Sequence, residues 1–300
     1  MVLQPTRQDW SGVFTLGLIW GATFMVVAMA LEGYGPITVA TSRTTLGAVT
    51  LLLMMRATGR KLPVLTPALS VSIVLIGVLS TAVPFMLLSW GQQFVPSAFA
   101  GLSMAAIPLM VLPLAHFFSD EPLNLRRFMG VCLGFSGALV LIGPGLAQLG
   151  QGAEPVAQLA CITAALCYAS SSVLTRRCPP VDPLVLAALT LVVGAVLLLP
   201  IMLVTEGLPT WQGPRPTIAL IVLGLLPTAF ATLLRVSITR SAGSVFLTLV
   251  NYQVPIWSMV FGAWILSEAL PLRFYIALAL ILTGMAISQW FSLRKVLFGH

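Results

Sequence analysis

Ten apolar runs, each about twenty residues long, succeed one another along the chain, near 10–31, 36–56, 67–89, 97–119, 127–144, 155–175, 183–205, 216–239, 243–266 and 271–292. A helix needs about 20 apolar residues to cross the ~30 Å hydrocarbon core of a bilayer, so this feature decides the solvent in which the chain folds. In hydrocarbon every backbone N–H and C=O must find a partner inside the protein, which leaves helices and closed barrels as spanning structures. The runs are apolar on every face instead of alternating, which excludes the barrel. Composition agrees. Hydrophobic residues make up 58% of the chain and charged residues 8%, and the mean hydropathy of +1.03 leaves no polar shell for a soluble fold. The run from Trp10 to Leu31 is longer than the ~7–15 residues of a signal-peptide core and is expected to remain as a first span.

Charge orients the spans. Of the 15 Lys and Arg residues, all but Arg43, Arg215 and Arg273 fall on the side of the N-terminus, at Arg7, Arg56, Arg60, Lys61, Arg126, Arg127, Arg176, Arg177, Arg235, Arg240, Arg294 and Lys295. Basic residues accumulate in cytoplasmic loops, so both termini are expected in the cytoplasm, which requires an even number of spans. The net charge of +7 is spread between apolar runs and forms no basic face, which excludes nucleic acid as a partner. Cys132, Cys161, Cys167 and Cys178 have no metal-ligand spacing to a histidine. No cofactor and no metal are expected.

Shifting the chain by 147 residues aligns its halves without a gap: Pro36 meets Pro183, Thr81–Ala82 meets Thr228–Ala229, Ser97 meets Ser244, Pro108 meets Pro255, Glu121 meets Glu268, and Arg126 meets Arg273. Scarce residue types matching at one offset define two five-helix copies, residues 1–147 and 148–300. Five is odd, so the second copy enters the membrane inverted. Inverted repeats are the architecture of transporters that expose one midplane site to each side in turn. The expected fold is therefore an all-α integral membrane protein of ten transmembrane helices, built as two inverted five-helix repeats forming one transmembrane domain. It is expected to lie multi-pass in the cell membrane, a bacterial inner membrane, acting as a monomer on a small-molecule substrate with the lipid bilayer around it.

Polar groups inside a membrane cost free energy and are functional candidates for that reason. In the ninth run Ser244, Thr248, Asn251, Pro255, Ser258 and Gly262 recur at steps of four and three, one helical stripe, with Asn251 ~12 Å deep at ~1.5 Å per residue. The alternative reading of that stripe is a small-residue packing face. Its counterpart in the fourth run is Ser97, Gly101, Met104 and Pro108. A proline within a helix cannot donate to the carbonyl four residues back, so Pro255, Pro108 and Pro84 are expected to free the carbonyls of Asn251, Met104 and Ser80. The eighth run carries Thr228, Thr232, Arg235 and Thr239 on one stripe. Arg235 either snorkels to the interface or attracts a carboxylate, and Arg43 is expected to bond carbonyls or an outer acid such as Glu268. No carboxylate falls at mid-membrane, so transport is expected to run down a substrate gradient without a proton gradient. The only residue placed to act as a base for Ser103, His116, lies thirteen positions away on the same helix, ~20 Å at ~1.5 Å per residue, which excludes hydrolysis. The chain is read as no enzyme.

Trp20–Gly21–Ala22–Thr23–Phe24 in the first run, Arg43 in the second, and the paired segments Phe118–Ser119–Asp120–Glu121–Pro122–Leu123 and Ile265–Leu266–Ser267–Glu268–Ala269–Leu270 together resemble the EamA-type members of the drug/metabolite transporter superfamily. By overall similarity the chain is most like the YddG-type amino-acid exporters. It departs from the family pattern at Asp120 and Ser267, where a glycine is usual, and at Cys167–Tyr168 in place of Trp–Gly. The resemblance implies a secondary transporter or facilitator for small neutral or zwitterionic metabolites, amino acids above all, with export as the expected direction. An organic-anion or phosphometabolite carrier using Arg43 and Arg235, or a membrane scaffold without transport, are the alternatives. The site is expected among the first, third, fourth, sixth, eighth and ninth spans. Asn251 would be its polar anchor, Ser80, Thr81, Thr228 and Thr248 its neighbours, Trp20, Phe85, Tyr168 and Met104 its walls, and Pro108 and Pro255 its gating kinks.

Overall fold

A computed structural model describes residues 6–119, 124–146, 150–290 and 294. Every regular element in it is helical, and no strand occurs among the described residues. The helices are α1 (Arg7–Leu31), α2 (Pro36–Ala57), α3 (Pro67–Gly91), α4 (Ser97–Phe118), α5 (Leu125–Leu146), α6 (Ala153–Arg177), α7 (Pro183–Thr205), α8 (Pro214–Ser241), α9 (Leu249–Ile265) and α10 (Leu272–Ser288). Of these, α1 to α8 are long and apolar enough to cross a membrane, while α9 and α10 have 17 residues each. The starts follow local chemistry. Thr6 and Asp9 close a reciprocal capping box on α1, and Thr66 and Asp182 cap α3 and α7, each with a proline at the first helical position.

Three helices depart from α geometry, each at a proline or a threonine inside the hydrogen-bond ladder. The chain widens to a π-helix over Val78–Ala82 in α3 and over Gly224–Phe230 in α8, and the 147-residue shift carries the first onto 225–229, inside the second. In α4 the turn Met104–Ala106 tightens to 3₁₀ just before Pro108, and Ile107 N–H donates to the Met104 carbonyl. That carbonyl, expected to be freed by Pro108, is therefore re-used. Within the expected span over 243–266 a single turn, Ser244–Leu247, is set off from α9 at Thr248, which keeps right-handed helical dihedrals (φ −60°, ψ −20°) while Asn251 N–H donates to its carbonyl at 3.0 Å.

Packing is organised in pairs. Helix α5 packs most extensively on α10, and α2 on α7, while α1 is held between α8 and α9 and α6 between α3 and α4. Exchanging the halves maps the α5–α10 and α2–α7 pairings onto themselves and the α1 contacts onto those of α6. Glycine sets the closest approach: a Cβ on Gly130 would lie 2.5 Å from the Gly284 carbonyl oxygen, and a Cβ on Gly284 as far from that of Gly130, so α5 and α10 meet backbone to backbone. The second half of the α9 stripe is a packing face of the same kind. Ser258 is buried against Gly101, its hydroxyl donating to the Pro255 carbonyl at 2.9 Å.

Carboxylates tie helix ends together. Glu268 accepts from Ser97 N (2.7 Å) and Ala98 N (3.0 Å) at the start of α4, and Glu206 from Ile37 N (3.0 Å) and Thr38 N (2.8 Å) at the start of α2. Both sit where the helix dipole favours negative charge. Glu268 is thus occupied with α4 and is not the partner of Arg43. Asp182 binds Arg60 and, at 3.3 Å, Arg240; Glu32 binds Arg215 at 3.0 Å; Asp9 accepts from Ser241.

Candidate functional site

The polar centre of the bundle forms around the π turn of α8. Pro227 has no N–H to offer the Leu223 carbonyl, and the hydroxyl of the next residue, Thr228, takes that place, donating to it at 2.8 Å. A threonine hydroxyl inserted in the ladder spreads the turn, and Ala231 N–H is drawn to the Leu226 carbonyl five residues back. An α-helix would have aimed that N–H at Pro227, whose carbonyl instead accepts the Trp20 indole N–H from α1 at 3.3 Å. Thr228 is 5% exposed and keeps its lone pairs for a second helix: Arg43 Nε of α2 donates to its hydroxyl at 3.0 Å.

Arg43 is the unusual group. Its guanidinium carbon lies 3.9 Å from the centre of the Phe85 ring, a cation–π contact favoured in a desolvated setting, and Tyr168 of α6 lies within its electrostatic reach. Among the described residues it has no carboxylate partner. A guanidinium carries five donors, and the structure engages only Nε. Its terminal nitrogens present an unneutralised fork, half-buried among α2, α3, α6 and α8. Arg235 follows Thr228 and Thr232 along one stripe of α8. It is exposed.

The structure brings together Trp20, Phe85, Tyr168 and Thr228 from the sequence-predicted residues and adds Arg43 at their centre. Others lie in different surroundings. Thr81 is buried, and its hydroxyl donates to the Gly77 carbonyl (2.6 Å) and the Thr190 carbonyl of α7 (3.3 Å), a bond between helices. Met104 is buried in the 3₁₀ turn, Pro108 follows it, and Pro255 is buried within α9. Ser80, Thr248 and Asn251 are half-buried, and the Asn251 amide has no hydrogen bond among the described residues. Sequence reasoning missed α2 as a wall and Pro227 as the origin of the π turn. The signal for Pro227 was present: applying the proline argument there points to the Leu223 carbonyl with a threonine beside it. Of the motif residues, Asp120, Glu121, Pro122 and Leu123 lie outside the described residues.

Helices of this length and polarity, packed about an unneutralised arginine with no metal-binding cluster among the described residues, define a multi-pass α-helical membrane protein with a polar interior. Comparison with known proteins makes the class specific. The model of the EamA-like transporter family matches residues 11–143 and again 156–289, and the chain belongs to that family: it is a transporter, not an enzyme. Among similar chains are the uncharacterized transporter YoaV of Bacillus subtilis, 25% identical with 95% of this chain and 98% of that one covered, and the uncharacterized inner membrane transporter YedA of Escherichia coli, 26% identical over 95% and 91%. A probable terminal-alkyne amino-acid exporter of Streptantibioticus cattleyicolor is 27% identical over 82% of each chain. A crystal structure superposes with a TM-score of 0.67 at 21% identity, covering 96% of this chain and 99% of that one, and shares the fold.

Proposed function

We infer that this transporter moves small zwitterionic metabolites that carry a carboxylate, α-amino acids above all, out of the cell across a bacterial inner membrane. Its ten helices, as two inverted repeats of residues 1–147 and 148–300 with both termini in the cytoplasm, would work by alternating access. One observation carries the substrate class: the Arg43 fork, steadied by Thr228 and Phe85 and without a carboxylate partner among the described residues. A substrate carboxylate supplies the missing partner, and bidentate pairing is the mode a guanidinium favours. Asn251, Thr248 and Ser80 are neutral acceptors for the ammonium end, Trp20 and Tyr168 flank the apolar part, and Pro108 and Pro255 bend the paired helices. The topology is supported by the ties between helix ends, each of which joins ends that ten alternating spans put on the same side. The amino-acid reading is supported by the exporter relative. A second reading, a carrier of organic anions with two negative groups, is favoured by Arg235 on the Thr228 stripe.

The test is counterflow of L-alanine in proteoliposomes without an imposed proton gradient, with competitors added. The amino acid should compete, and ethylamine, which lacks the carboxylate, should not. Equal competition by ethylamine would remove Arg43 from the site. Preference for a dicarboxylate over any amino acid would promote the second reading.

A further inference from the structure

At the end of the bundle where α4, α6 and α10 begin, a cavity of about 260 Å³ opens between Phe94, Phe99, Glu154, Gln158, Arg273 and Phe274. On α6 its Gln158 lies ten residues from Tyr168 of the Arg43 centre, about 15 Å of helix at ~1.5 Å per residue, toward the face that the topology above assigns to the outside. The space is below the ~300–1,000 Å³ usual for drug-sized ligands, so its occupant is small.

Its polar lining is unfinished. Glu154 and Arg273 both line the cavity, yet neither closes a salt bridge with the other or with any described residue. Opposite charges facing one space without meeting are complementary to a molecule that carries both charges. Gln158, 2% exposed, donates its amide N–H to Glu154 at 3.0 Å, and its buried carbonyl oxygen has no donor among the described residues. Arg273 Nε is likewise buried without an acceptor among the described residues. A buried polar atom left unpaired costs free energy that a ligand can recover. Helices α6 and α10 start here with no side-chain cap at Gly152 or Pro271, so their N–H groups and dipoles add to the pull of Arg273 on an anion. On the opposite side, the Glu154 carboxylate and the Gln158 oxygen are acceptors for an ammonium, and the Phe99 and Phe274 rings, 6.0 Å apart, wall the apolar part.

We propose that this cavity is a second binding station, at the outer mouth, for a small α-amino acid, its carboxylate on Arg273 and its ammonium between Glu154 and Gln158. It rests on the transport reading only for the choice of ligand. The experiment is equilibrium binding of labelled L-alanine to the full-length chain in nanodiscs, in an Arg43→Met background that disables the central site. Saturable binding should persist there and weaken about tenfold or more, the loss of one charge-assisted contact, when Arg273→Gln or Gln158→Leu is added. The melting temperature should stay that of the background, and Arg273→Lys should restore part of the affinity. Absence of saturable binding in the Arg43→Met protein, or binding indifferent to both Arg273→Gln and Gln158→Leu, would overturn the proposal. Failure of the central reading shows elsewhere, as alanine flux unaffected by Arg43→Met.

Discussion

Replacing Arg43 by Lys keeps the positive charge inside the bundle and removes only what the planar fork supplies. Three contacts change. The bond from Nε to Thr228 at 3.0 Å disappears; side-chain bonds between membrane helices average ~0.6 and reach ~1.7 kcal/mol, so the loss to stability is about 1 kcal/mol. The contact with Phe85 at 3.9 Å survives in part, because an ammonium is also attracted to a ring face. The third change is the grip on substrate. Two parallel N–H donors become one point charge, and a hydrogen bond to a charged group is worth about 1.5–3 kcal/mol, which corresponds to a rise of about tenfold to a hundredfold in the half-saturating concentration. Initial rates of L-alanine counterflow at graded concentrations read that rise, and a fluorescence melt of the purified protein reads the stability. Thr228→Val is the control. It leaves the fork intact and removes its support, so it should lower the melting temperature more than it raises half-saturation. An Arg43→Lys protein that melts lower and transports alanine with unchanged half-saturation would show Arg43 to be a packing residue, and the substrate assignment would fall with it.

Asn251→Ala should lower alanine flux while leaving melting temperature and membrane yield near wild type, since its amide holds no described neighbour; full flux with a lower melting temperature would make it a helix contact worth ~0.6–2 kcal/mol. Gly130→Ala forces a Cβ to 2.5 Å from one backbone atom of α10 and 2.7 Å from another, so it should destabilise by about 1–3 kcal/mol in a thermal melt. Gly143→Ala, with open space around it, should be neutral or stabilising. A cysteine at position 61 should react with an impermeant maleimide only after the cells are opened, and one at position 154 in intact cells; labelling at 61 from outside would end the ten-span inverted scheme.

The helices were legible because hydrophobic runs and their punctuation are local. Pro36, Pro67 and Pro183 start helices where the apolar runs begin, and the α7 limits coincide with the expected run. What local pattern does not carry is partnership across the bundle. Glu268 and Arg43 are both charged groups near the outer half, and nothing in their spacing shows that backbone N–H groups of α4 take the first while a threonine and a phenyl ring take the second. Thr81 and Thr228 are equivalent under the internal shift, yet the bundle gives one a carbonyl on α7 and the other a guanidinium.

The π turns have a consequence for phase. A π turn holds one residue more than α geometry would over the same rise, and each residue in an α-helix advances the azimuth by about 100°. The outer part of α8, which carries Thr228 toward Arg43, and its inner part, which carries Arg240 to Asp182 and Ser241 to Asp9, therefore point as they do only because that extra residue is present. Deleting one residue within 224–230 would leave an unbroken apolar helix of almost the same length and rotate one set of contacts out of alignment with the other. The surplus residue acts as a phase key, setting which faces of α8 serve the centre and the inner rim, and α3 carries its own at the corresponding place.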